Sequence, residues 1–192
     1  KENKDLFMAL DNLTILNGKI INSNQQDASK DYSINNISLK ATDFYLIGKE
    51  IEVQIVTSNF NSKEFGNLES LEGDLFYSPC FMNLDSLKIK TQNSILEGDL
   101  SLSNNRESFK NLNDAVFIEA DFNQIKLDKE YLIHFISLPE NFKPLVGKLS
   151  VNGTLNNLEL TEMVFSNDAF SLDASLKVSG LMGDFPDSVG LR

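Results

Sequence analysis

Apolar residues recur at every second position along most of the chain. In IEVQIVT, Ile51, Val53 and Ile55 share one parity while Glu52 and Gln54 take the other, and LKIKT repeats the alternation with Leu87, Ile89 and Thr91. Side chains at i and i+2 lie on the same face of an extended strand, so each stretch predicts a strand with one apolar and one wet face. The same reading covers INNISLKAT (Ile37, Leu39, Ala41), AVFIEADF (Val116, Ile118, Ala120, Phe122), GKLSVNGTL (Leu149, Val151) and AFSLDASLKV (Phe170, Leu172, Ala174, Leu176, Val178). Turn-forming clusters such as NSNQQDASKD, TQNS and SNNRESFKNLND separate them. One stretch departs from period two: LDKEYLIHFISL offers Asp128 as an N-cap and Leu132, Phe135 and Ile136 at helical spacing before Pro139, which predicts one short amphipathic helix around 128–138. Strands at a spacing of about 8–12 residues, with no helices between them, predict an antiparallel all-β fold.

The pentapeptide LEGDL occurs twice, as Leu71 to Leu75 and as Leu96 to Leu100. Leu, Gly and Leu fall on one face in each copy, and Glu72 with Asp74, or Glu97 with Asp99, on the other. Two carboxylates about 7 Å apart on one strand invite an acid/base or calcium reading. Calcium loops need more oxygen ligands on a tight turn, and a glycosidase pair normally comes from two elements across a cleft, so a solvated strand face accounts for the acids more simply. A glycine in mid-strand forgoes packing and costs entropy, which calls for curvature, a bulge or a close approach at Gly73 and Gly98. Relaxed copies, LVGKLSV (Leu145, Gly147, Leu149) and SVNGTLNNLEL (Val151, Gly153, Leu155), suggest a unit added repeatedly along one axis.

Composition narrows the functional classes. A chain of 192 residues at 41% hydrophobic and 23% charged is expected to fold with a sizeable core. Its net charge of −11 comes from 28 acidic and 17 basic residues scattered along the chain, which argues against nucleic acid as a partner, because phosphate binding needs clustered cations. Cys80 has no second cysteine to pair with, and no Cys or His cluster has metal-ligand spacing. His134, the single histidine, is the only imidazole base available to a nucleophile, and its apolar surroundings suit a packed helix residue better. No catalytic residues and no cofactor are therefore expected. The sequons at Asn12, Asn36 and Asn152 are what an Asn-rich chain produces by chance. No apolar run approaches the roughly 18 residues of a membrane span, and the opening KENKDLFMALDNLTILNG, without an initiator Met, is read as part of an excised piece of something longer.

LDSLKIKTQNSILEGDLSLS, FKNLNDAVFIEADFNQIKLDK and LVGKLSVNGTLNNLEL, taken in this order, resemble a section of a TamB-type protein of the AsmA-like group, in the Asn- and Lys-rich form of Bacteroidetes. The match runs best over about Leu68 to Leu181. The resemblance implies one elongated module over residues 1–192, a long antiparallel sheet bent into an open U-shaped trough (a β-taco), within a protein anchored in the inner membrane and reaching across the periplasm of a Gram-negative bacterium. It implies phospholipid transport between the two membranes in support of outer-membrane biogenesis. The partners implied are phospholipid acyl chains, the remaining trough of the same protein and, through another part of the chain, an outer-membrane barrel insertase. At about 12 residues per strand and turn the chain is expected to yield roughly 15 strands and a rod of about 70 Å. The residues expected to line the groove are Ile51, Val53, Ile55, Leu71, Gly73, Leu75, Leu87, Ile89, Leu96, Gly98, Leu100, Leu102, Val116, Ile118, Phe122, Leu149, Val151, Leu158, Leu160, Leu172 and Leu176. Two alternatives remain open: a secreted β-sandwich that binds a glycan or protein, and a chaperone-like groove for outer-membrane protein segments.

Overall fold

The computed structural model describes residues 6–22, 32–62, 66–104, 115–129, 142–179 and 188–191. They form β1 (Phe7–Asn22), β2 (Tyr32–Ile47), β3 (Glu50–Ser62), β4 (Gly66–Ser78), β5 (Phe81–Lys90), β6 (Ile95–Asn104), β7 (Val116–Leu127), β8 (Leu145–Thr154), β9 (Asn157–Ser166), β10 (Ser171–Ser179) and β11 (Ser188–Leu191). All pair antiparallel in sequence order, as one eleven-stranded sheet with β1 and β11 at its edges. The fold is all-β, a single antiparallel sheet curved into an open trough and not closed into a barrel. The described residues form one sheet with no second sheet packed on it, so they do not make a sandwich. Strands here are longer than the periodicity suggested, with 16 residues each in β1 and β2. The described residues make eleven strands where the whole chain was expected to yield about fifteen, and the sheet extends about 50 Å across its strands at the usual spacing of ~4.8 Å. The expected helix over 128–138, with His134, lies almost wholly outside the described residues.

Among the described residues, short hydrogen-bonded turns join β5 to β6 and β9 to β10. In TQNS the Thr91 N–H donates to the Ser94 carbonyl at 3.0 Å and the Ser94 N–H to Thr91 Oγ1 at 3.2 Å. Thr91 therefore belongs to a turn and does not extend the face of Leu87 and Ile89. Ser94 Oγ in turn accepts the Asp128 N–H at 3.0 Å, tying the end of β7 to this corner. Between β9 and β10, Asn167 Oδ1 accepts the N–H groups of Ala169 and Phe170 at 2.8 and 3.1 Å, so Phe170 precedes its strand. Leu155 likewise sits in the β8–β9 turn.

The curvature has an identifiable source. Every second strand carries one residue more than its neighbours at mid-strand: Val56 in β3, Ser86 in β5, Asn123 in β7 and Thr161 in β9 each fall in a register shift. An extra residue on one strand bends it and increases its twist. All four abut one rung of the ladder, which runs Ile55, Gly73, Leu87, Gly98, Phe122, Leu149, Met163, Ala174 from β3 to β10. Ser86 adopts the left-handed conformation with φ 53°, and its N–H donates to Asp99 Oδ1 at 2.8 Å.

These bulges explain LEGDL. Gly73 and Gly98 stand two strands apart, each facing a bulged neighbour, at φ 145° and 155°, where L side chains are strained. A Cβ on Gly98 would lie 2.6 Å from the Phe122 Cα and closer still to the Asp121 carbonyl oxygen. On Gly73 it would meet the Asp85 carbonyl oxygen at 3.0 Å and the Leu87 Cα at 3.2 Å. The glycines therefore admit a neighbouring backbone, and a larger residue there is excluded by the sheet itself rather than narrowing the trough. Gly98→Ala is expected to destabilise the chain by more than about 2 kcal/mol in urea titrations, and Gly73→Ala by less. Equal stabilities of Gly98→Ala and the parent chain would remove the close approach as the reason for the motif.

Candidate functional site

The ladder sorts side chains into two faces without exception across the central strands. On one face four rungs run from β3 or β4 to β10. The first holds Ile51, Tyr77, Met82, Leu102, Ile118, Gly153, Leu158 and Val178, and the second Val53, Leu75, Leu84, Leu100, Ala120, Val151, Leu160 and Leu176. The bulge rung is the third. The fourth runs Leu71, Ile89, Leu96, Ile125, Gly147, Phe165, Leu172. No charged side chain occupies any of the four. Val116, opposite Asn104, extends this face beyond the first rung at one end of the strands. Every residue expected to line a groove lies on this face.

Leu87, between Gly73 and Gly98, is 2% exposed, and Ile125 and Val116 are 2% and 1% exposed. Most remaining side chains of the face are half-buried, and Leu172 at the β10 side is 38% exposed. No buried side-chain polar atom among the described residues lacks a hydrogen-bond partner, so nothing on this face asks for a polar ligand.

Sequence parity missed the residues beyond each bulge. From Leu87 and Ile89 a strict period of two puts Asp85 inside, whereas Ser86 shifts the phase and brings in Leu84 and Met82. Asn123 does the same in β7, delivering Ile125 where parity from Phe122 points to Gln124. Met163 and Phe165 in β9 were missed for the matching reason, the extra Thr161. The readable signal is an apolar doublet out of phase, such as Phe122 with Ile125.

The opposite face carries the acids. Asp74 stands opposite Asp85, and Asp99 opposite Asp121, so four adjacent strands present carboxylates at one level. Asp85 accepts from Asn83 Nδ2 at 2.6 Å and Asp121 from Ser150 Oγ at 3.0 Å. An open depression of about 630 Å³ on this face is lined by Asp85, Asp99, Glu119, Asp121 and Glu159 together with serines and asparagines. No group of three or more potential ligands among the described residues is placed to hold a metal ion. Lys148 pairs with Glu162, whose hydrogen bond and charge raise the lysine pKa above its ordinary value. This is a wet electrostatic surface whose acids are exposed.

Like charges directly opposite on neighbouring strands repel. Asp74→Asn is therefore expected to stabilise the sheet by about 0.2–1 kcal/mol at low ionic strength, with the gain shrinking in high salt. Paired thermal melts in the two conditions measure it.

No family model, curated protein or solved structure matches the chain.

Proposed function

We propose that the apolar face is a conduit for phospholipid acyl chains, and that the chain is a section of a TamB-type trough bridging the inner and outer membranes through the periplasm. One observation carries the reading. A sheet with four uninterrupted apolar rungs needs a cover for that face, and no second layer of protein supplies one among the described residues. A hydrocarbon tail fits such a surface, since each buried CH₂ contributes about 0.8 kcal/mol without directional bonds. The rungs offer no charge or buried polar grip to stop a tail at one place, so a chain held there remains free to slide across the strands. Headgroups would stay at the open side in water, and no bond is made or broken.

Leu100 and Ile118 lie on the second and first rungs of adjacent strands, and both are half-buried. Photocrosslinkers at these positions, in cells expressing the intact protein, are expected to capture phospholipid. Capture of outer-membrane protein segments instead would favour a chaperone groove. Leu100→Asp puts a charge into the second rung and is expected to reduce lipid transfer at least tenfold while circular dichroism shows the sheet retained. Full transfer by a folded Leu100→Asp protein would overturn the proposal.

A further inference from the structure

Charge on the polar face is sorted along the strands. From β3 to β9 the strands carry four lysines, Lys88, Lys90, Lys126 and Lys148, and all four lie on the fourth-rung side of the bulge rung. Nine of the twelve carboxylates of the same strands lie on the first-rung side, where only Glu162 is paired, across the bulge rung, with Lys148. That half of β3–β9 has no lysine or arginine of its own and presents a field of one sign, which draws cations toward it. Cations resume at Lys177 of β10, opposite Glu159.

Aromatic rings stand in the same half. The register sets Tyr45 and Phe76 on either side of Glu52, and Phe81 and Phe117 on either side of Ser103, all on the polar face with the acids. Tyr45, Phe81 and Phe117 are 39%, 37% and 40% exposed, and the Phe76 and Phe81 ring centroids lie 6.1 Å apart. These rings wall two open depressions. One, of about 430 Å³, combines Tyr45 and Phe76 with Glu52, Asp74 and Asp85. The other is the 630 Å³ depression, where Phe81 joins Asp85, Asp99, Glu119 and Asp121, so Asp85 borders both. A hydrated acidic face needs no exposed rings. Rings and carboxylates together suit a guanidinium, which stacks its plane on an aromatic face and gives paired N–H donors to a carboxylate. The lysine ammonium is a compact, strongly hydrated charge without that fork and gains less from such a surface.

We propose that this half of the polar face docks an arginine-bearing polypeptide segment, with guanidinium groups seated in the two depressions between the rings and the carboxylates. The apolar rungs face the other way, so the docking does not depend on what they carry. The test is fluorescence anisotropy on the 192-residue chain with two labelled peptides of equal length and charge, one alternating Arg with Gly and the other Lys with Gly. The arginine peptide is expected to bind at least about fivefold tighter than the lysine peptide. Phe81→Ser combined with Phe117→Ser is expected to bring the arginine peptide down to the affinity of the lysine peptide. Glu119→Gln with Glu159→Gln is expected to weaken both peptides about threefold or more, whereas Glu72→Gln with Glu97→Gln, in the half that holds the lysines, leaves both nearly unchanged. Equal affinities of the two peptides for the parent chain would reduce the surface to a diffuse acidic field and overturn the proposal, and this comparison needs no substitution that could disturb folding. An undiminished preference for arginine in the folded Phe81→Ser, Phe117→Ser variant would also overturn it. Equal losses from the two glutamate pairs would place the contact elsewhere and overturn it equally.

Discussion

Everything in this molecule depends on how closely neighbouring strands approach along the rung from Ile55 to Ala174. A flat antiparallel sheet leaves its apolar face open to water. Bending that face inward requires alternate strands to differ in length, and one extra residue in each of β3, β5, β7 and β9 provides the difference. Because every bulge meets the same rung, the bends add into a trough rather than cancelling. The neighbours of the bulges then need room, and Gly73 and Gly98 supply it where the Asp85 and Asp121 carbonyls press in. A two-strand unit, one strand with a bulge and one that yields to it, is thus the repeat behind the twice-occurring motif.

The two faces follow from the same geometry. On the apolar side the bulge rung holds Leu87 between Gly73 and Gly98, where it is 2% exposed. On the convex side the strands spread their side chains into water, and a crowd of carboxylates is tolerable because each remains hydrated. Hydroxyls and amides bridge strands there, as between Ser101 and Asn83 at 2.6 Å and between Thr42 and Gln54 at 3.0 Å. Such bonds add little stability individually but hold the register that keeps acids out and aliphatics in. The proposed hydrocarbon conduit inherits this arrangement, since it fills a face that the register has already sorted.

Alternation alone revealed the all-β class, the antiparallel order and the side each LEGDL residue faces, because a side-chain period of two is a local property of extended backbone. It identified Ile51, Val53, Leu71, Leu75, Leu96 and Leu100 correctly as members of one face. It failed at Leu84, Met82, Ile125 and Met163 because each lies across a bulge, and a bulge is a relation between two strands that no single stretch records. The expected strand number rested on about 12 residues per strand and turn, whereas β1 and β2 alone run 16 residues each.

What the chain determined by itself was therefore the polarity of each short segment and the need for glycine at positions 73 and 98. Only the tertiary structure decided that the bulges share a rung and that the described sheet bends instead of doubling into a sandwich. These depend on register between strands many residues apart, where the closeness of one backbone to another is set by pairing rather than by local sequence preference.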